Sequence, residues 1–170
     1  MSTVSIRPIS RDDTDNIVRW RNRADVKLNL FSQADTTPES HLRWMETMVD
    51  THRCHQFIIE LDGRAVGTSF LKNIDPHSRK AEFGIFIGEP EARGKGVGTQ
   101  ATRLTVDYGF ITLGLNRIFL EVFSLNSSAI AAYQKVGFVK EGVLKEDYMR
   151  QGIPFDVTVM AILAKDAEND

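Results

Sequence analysis

The stretch Phe86-Ile87-Gly88-Glu89-Pro90-Glu91-Ala92-Arg93-Gly94-Lys95-Gly96-Val97-Gly98-Thr99 constrains the fold more than any other part of the chain. It reads as a strand, a glycine-rich turn and a helix start. Gly94, Gly96 and Gly98 stand at alternate positions, so backbone N–H groups can turn toward one point with no Cβ to block a large anion. A helix opening at Val97 aims its unpaired N–H groups and the positive end of its dipole there too. The segment therefore predicts a pyrophosphate cradle, with Arg93 and Lys95 adding positive charge beside it. Two familiar phosphate loops are excluded by spacing. A P-loop needs Gly-x-x-x-x-Gly-Lys-Ser/Thr. A dinucleotide fingerprint needs Gly-x-Gly-x-x-Gly at the first strand–helix turn. A plain surface turn is the bland alternative.

The rest of the chain bounds what surrounds that loop. Its 170 residues suffice for one domain with a core, 1–170, and are too few for two ordinary ones. A net charge of −2 gives no basic field for nucleic acid. No apolar run approaches the roughly 18 residues of a membrane span, and the start lacks an apolar signal core. The single cysteine, Cys54, fits a reducing cytoplasm. The scattered histidines form no zinc spacing, so no metal is expected.

Hydrophobic periodicity predicts strands at 4–9, 56–61, 65–74, 80–87, 117–123, 138–144 and 157–164. Asp62-Gly63 marks a hairpin. Helices are expected from Ser10, from Pro38 to about Asp50, over 97–113 and over 126–136. Lys165 to Asp170 reads as a solvated tail. The apolar strand 157–163 is read as an edge, which would allow a homodimer.

A second block stands out in Asn126-Ser127-Ser128-Ala129-Ile130-Ala131-Ala132-Tyr133-Gln134-Lys135-Val136-Gly137-Phe138. Asn126 suits a helix N-cap and Gly137 a helix C-terminus. Tyr133 lies seven residues, two turns, beyond Asn126 on nearly the same face. Arg93-x-x-Gly96-x-Gly98 followed by this block resembles the GNAT superfamily of N-acetyltransferases, and the element order coincides over nearly the whole chain.

That resemblance implies an α/β (α+β) fold with a mixed, mostly antiparallel sheet of seven strands. The sheet would splay between its fourth and fifth strands, with helices on both faces and acetyl-CoA in the gap. The resemblance places the pyrophosphate on Arg93, Gly94, Lys95, Gly96, Val97, Gly98 and Thr99. A fourth-strand N–H near Phe86 or Ile87 would polarise the thioester carbonyl. Asn126 would touch the pantetheine arm, and Tyr133 would protonate the departing sulfur. A core tyrosine and a plain cap are the competing structural roles.

Acyl transfer to an amine also needs a base. Glu82 sits on the fourth strand on the face of Gly84 and Phe86. Its alternative is an ion pair with Arg79 or Lys80. His41 and a water chain stay open as bases. For the acceptor, Trp20-Arg21-Asn22 and His41-Leu42-Arg43-Trp44 resemble a GNAT branch acting on nucleotide-linked amino sugars. It implies a small-molecule amine such as a UDP-amino sugar, held by Arg21, Asn22, His41 and Trp44; core packing of the tryptophans is the alternative. Ribosomal-protein N-termini, polyamines and aminoglycosides are competing acceptors. A non-catalytic acetyl-CoA sensor is the reading from another class.

Overall fold

A computed structural model describes residues 1–167. Strands β1 (Val4–Pro8), β2 (Cys54–Leu61), β3 (Arg64–Asp75), β4 (Lys80–Ile87), β5 (Arg117–Phe123), β6 (Val139–Arg150) and β7 (Ile153–Leu163) form one seven-stranded sheet in the order β1-β2-β3-β4-β5-β7-β6. Helices α1 (Thr14–Arg21), α2 (Ala24–Lys27) and α3 (Pro38–Trp44) precede β2. Helix α4 (Val97–Asp107) and helix α5 (Ser127–Val136) flank β5, and a short α6 (Ala164–Ala167) follows β7. The expected tail therefore begins in α6 and ends at residues 168–170, outside the described residues. Among the described residues no helix is long and apolar enough to cross a membrane.

The two-residue alternation of the strands feeds two cores. Ile58 joins Ile9, Ile17, Trp20 and Met45 under α1 and α3. On the opposite face Leu71, Phe83, Ile118, Leu120, Phe138 and Met160 pack together, with Val106 of α4 and Val136 of α5 closing over them. Trp20 is fully buried and its indole N–H donates to Glu89 at 2.9 Å. A Cβ at Gly88 would come 2.1 Å from the Trp20 ring, so only glycine lets strand and helix approach this closely. Trp20 is thus a core residue and takes no part in holding a ligand.

The turns follow their residues. Asp62 and Gly63 both have positive φ, 52° and 80°, as a two-residue hairpin turn of mirror type requires. Gln151 and Gly152 repeat this geometry at 49° and 80° and join β6 to β7. The resulting hairpin is longer than the periodicity predicts. A register shift between Leu144 and Tyr148, with Glu146 at φ 52°, breaks the alternation that sequence reading relies on. The hairpin also moves the sheet edge. Residues 157–161 pair with β5 on one side and β6 on the other, so the strand is interior, and β6 is the edge. The ground for a homodimer through the strand 157–163 is removed.

Strands β4 and β5 decide the site. They run parallel and pair at Lys80, Ala81 and Glu82 opposite Arg117, Ile118 and Phe119, then separate. Beyond Glu82, β4 keeps its partner β3 and β5 keeps β7. A wedge opens between them, and every other adjacent pair in the sheet is antiparallel.

Candidate active site

The wedge is the mouth of a cleft of about 550 Å³, lined among others by Glu82, Ile85, Ile87, Gly98, Glu121, Asn126 and Tyr133. Its floor is the unpaired side of β4. The Gly88 N–H donates to Val66 O at 2.8 Å, so Gly88 turns toward β3. Alternation then turns Phe86 and Gly84 the same way and leaves the N–H groups of Ile85 and Ile87 facing the gap. The Ile87 carbonyl accepts from Arg93 on that side, in agreement. Of the expected oxyanion donors, Ile87 faces the cleft and Phe86 does not, because its N–H is turned to the sheet.

At the cleft's far wall, Gly96 caps α4 at φ 76°, after Gly94 at φ 71°. No side chain caps the helix, so the first-turn N–H groups of Val97, Gly98 and Thr99 are free for an anion. Val97 is buried and anchors the turn in the core. Gly98 has ordinary helical φ, and a Cβ there would meet nothing within 4 Å. Space that no residue fills, next to free N–H groups, is what a pyrophosphate needs. Lys95 is exposed beside it.

Arg93 does something other than expected. Its guanidinium donates to Asp25 at 2.7 Å and twice to the Ile87 carbonyl, at 3.1 and 2.9 Å. Arg23 and Arg93 together hold the Asp25 carboxylate well below its usual range. Arg93 is therefore paired within the protein, with Arg23 sharing the same carboxylate. Its side chain fixes the end of β4 to α2 and leaves the backbone N–H groups of the loop facing the cleft.

Helix α5 brings two more residues to the cleft. Asn126 accepts from the Ala129 N–H at 3.3 Å and also lines the cleft, so capping leaves its amide N–H₂ for a ligand. Tyr133 is held edge-on by Phe83, with ring centroids 6.1 Å apart, and by Phe138 at 5.9 Å. Among the described residues its hydroxyl has no hydrogen-bond partner. Burial pushes its pKa up to about 12.

Glu82 stands where β4 and β5 part. It accepts from Asn73 at 2.8 Å and lies 3.8 Å from Lys72. Its ion-pair partner is thus Lys72 and neither Arg79 nor Lys80. Glu121 of β5, two residues beyond Glu82's register partner Phe119, lines the same cleft, and sequence reading missed it. Burial raises the Glu121 pKa first, and the charges of Glu82 and Asp147 raise it further. The signal for it was a lone carboxylate in the apolar run Arg117-Ile118-Phe119-Leu120-Glu121-Val122-Phe123.

The residues expected to hold the acceptor divide. Asn22 lines no part of the cleft. Its amide donates to Thr36 O at 2.8 Å and accepts from Thr36 N–H at 2.7 Å, so both of its groups are spent closing the loop after α2. His41 and Trp44 line a neighbouring pocket of about 350 Å³ instead. His41 is buried, with Nδ1 3.1 Å from Thr14 Oγ1. It lines this adjoining pocket and not the part of the cleft lined by Tyr133. Trp44 donates its N–H to Gln56 at 2.9 Å and offers only its ring. Arg21 lines both spaces.

The family model described as an acetyltransferase (GNAT) domain matches residues 3–139. The chain belongs to the GNAT acetyltransferases. It is an acetyl-CoA-dependent N-acetyltransferase, and its free helix N-terminus, open Gly98 and unpaired β4 edge fit that co-substrate. The spermidine N(1)-acetyltransferase of Escherichia coli K12 is 34% identical over 154 residues, covering 88% of this chain and 80% of that one. A Bacillus subtilis protein named as a candidate ribosomal N-acetyltransferase is 30% identical over 140 residues, covering 82% and 75%. The crystal structure of spermidine N-acetyltransferase from Vibrio cholerae, in complex with CoA and spermine, superposes with a TM-score of 0.91. It is 28% identical to this GNAT chain, with 98% of each chain covered. The names of these proteins give spermidine and ribosomal substrates for them, and none of the names gives an amino sugar.

Proposed function

We propose that this GNAT enzyme acetylates a primary aliphatic amine of a small molecule, with Glu82 and Glu121 receiving the amine and Tyr133 supplying the closing proton. The observation that carries this reading is the pairing of two carboxylates at the mouth of the wedge with a phenol on the same cleft. Acetyl-CoA supplies a thioester activated for attack. The α4 N-terminus holds its phosphates, Asn126 its arm, and the Ile87 N–H is the donor turned toward its carbonyl. An alkylammonium entering between Glu82 and Glu121 meets opposite charge. It must lose a proton before it can attack, and Glu121, with its raised pKa, is the better-matched acceptor. Tyr133 Oη carries a proton that burial keeps in place up to about pH 12, ready for the leaving thiolate.

The similar proteins' names favour a polyamine as this amine. The amino-sugar nucleotide implied by Trp20-Arg21-Asn22 draws its support from Arg21 alone, now that Trp20 and Asn22 are spent on the fold. Thiol release from acetyl-CoA should be followed with spermidine, a UDP-linked amino sugar, an aminoglycoside and a ribosomal N-terminal peptide. Turnover of a small amine, lost by about 10²-fold or more in Glu121→Gln, is expected. Turnover of the peptide alone would sink the small-molecule reading, and acetyl-CoA binding without any turnover would favour a sensor.

A signed pH effect separates the two carboxylates. Glu82 helps to raise the Glu121 pKa, so Glu82→Gln should let Glu121 ionise more easily. The acid limb of the kcat/KM profile is expected to move to lower pH in this variant. A limb that disappears along with most of the activity would assign the base to Glu82 itself, and a limb that stays in place would show that it does not belong to Glu121.

A further inference from the structure

The pocket beside the cleft contains two groups that the transfer reaction does not use. The first is Arg21. It is half-buried, and its Nε donates to Thr36 Oγ1 at 3.2 Å. Among the described residues no carboxylate pairs with it. Burial alone lowers its pKa, with no compensating acid. A half-buried guanidinium with no anionic partner favours a ligand anion that completes it.

The second group is His41, whose ring is 4% exposed and whose Nε2 has no partner. The hydrogen-bond network fixes its protonation. Thr14 has one hydroxyl proton and donates it to Arg11 O at 2.7 Å. The contact between Thr14 Oγ1 and His41 Nδ1 must therefore be donated by Nδ1–H. Burial and then the nearby Arg21 lower the ring's pKa, against a raising effect of Asp13. What remains is a bare lone pair on Nε2, at the edge of the ring opposite Thr14. The pocket thus presents one unpaired cation and one unpaired acceptor, with the Trp44 ring as an apolar wall.

The pocket joins the cleft, since Arg21, Ser32, Phe70 and Lys72 line both. Its occupant is then the far end of a molecule whose amine lies between Glu82 and Glu121. We propose that this side pocket seats an anionic oxygen of the acceptor, phosphate or carboxylate, on Arg21, while a neighbouring hydroxyl or N–H of the same molecule donates to His41 Nε2. This rests on the small-amine reading above and narrows it: an amine with an anionic end fits both spaces, and a second ammonium has no acid to meet in the side pocket. Among its polar lining groups, Lys72 already lies 3.8 Å from Glu82, which leaves Arg21 as the free cation.

The test uses the intact chain and two probes, UDP for phosphate and 4-aminobutanoate for carboxylate. Two-bond ¹H–¹⁵N spectra should show His41 protonated on Nδ1, with a pyridine-like Nε2. UDP, 4-aminobutanoate or both should shift the Nε2 signal, and the probe that does so identifies the anion. Arg21→Met should weaken that probe by about tenfold or more and leave acetyl-CoA affinity unchanged. Should Arg21→Met unfold, His41→Gln, which keeps an acceptor, should retain probe binding that His41→Phe loses. A His41 signal that responds to spermidine and to neither anionic probe overturns the proposal. So does an Arg21→Met protein that binds the probe normally. A protein that binds an anionic probe at His41 yet turns over no amine would retain the pocket assignment and lose the proposed reaction. Turnover of simple amines with no probe response would do the reverse.

Discussion

Replacing Tyr133 by phenylalanine is expected to lower kcat for acetyl transfer by about 10²–10⁴-fold and to leave acetyl-CoA binding nearly unchanged. The ring of Tyr133 is the structural part. It packs against Phe83 and Phe138 in the core beneath α5, and phenylalanine keeps those contacts. The hydroxyl makes no hydrogen bond to the described protein, so its removal orphans no buried partner and stability should hold. What the variant loses is a proton at the cleft surface. Burial raises the phenol to about 12, so Tyr133 is protonated at any working pH. A leaving thiolate would otherwise depart as an anion into the apolar space between β4 and α5. The pH profile adds a second check. An acid whose pKa is raised stays competent as pH climbs, so kcat should show no alkaline loss from Tyr133 below about pH 11. Steady-state kinetics between pH 6 and 10 on both proteins measure this. A phenylalanine variant with full kcat would reduce Tyr133 to a core residue and leave the proton to solvent.

The parts of this site that sequence made legible are those built locally. Glycines at 94, 96 and 98 need only their neighbours to form a turn and a helix start, and the Asn126-to-Gly137 block caps its own helix at both ends. Short-range spacing carries such information. The roles that went astray depend on residues far apart in the chain. Arg93 looks like a phosphate ligand until Asp25, 68 positions away, claims its guanidinium. Asn22 looks free until the loop after α2 folds back to place Thr36 against it. Glu121 becomes chemically distinctive only when the splayed sheet brings it into the cleft that Glu82 also lines. The edge strand was misassigned because periodicity reports which face is buried and says nothing of which strand lies beyond.

The acceptor half of the site was less legible for a related reason. The proposed coenzyme cradle is made of backbone, whose geometry a few glycines specify. The proposed acceptor space is lined by side chains from α1, α3, β3, β4 and β5. Each of those positions also serves packing, and Trp20 shows how completely packing can claim a residue that looks like a ligand group. Similarity to the spermidine and ribosomal enzymes fixes the reaction for the same reason: it follows the backbone. In the proposed reading, selection among amines rests on Arg21, His41, Glu82 and Glu121.

Enlarging residue 98 should separate folding from coenzyme binding. Gly98 lies in the first turn of α4 with ordinary helical φ, and a Cβ there touches nothing within 4 Å. Gly98→Ala should therefore keep the fold and raise its stability by about 0.5–1 kcal/mol, because alanine loses less backbone freedom on forming a helix. The same methyl projects into the cleft, where the free N–H groups of the turn must come within hydrogen-bond distance of phosphate oxygens. Displacing an oxygen by even part of a methyl radius lengthens several charge-assisted bonds together. Acetyl-CoA affinity is expected to fall by about tenfold in Gly98→Ala and by about 100-fold or more in Gly98→Val, following the added bulk. Thermal melts without ligand, paired with calorimetric titration of CoA, measure both effects. The contrast with Gly96 sharpens the test. Gly96 has φ 76°, so Gly96→Ala should lose stability as well as affinity, through backbone strain. Unchanged CoA affinity in Gly98→Val would mean that the phosphates do not approach the α4 terminus, and Gly98 would be no more than a turn residue.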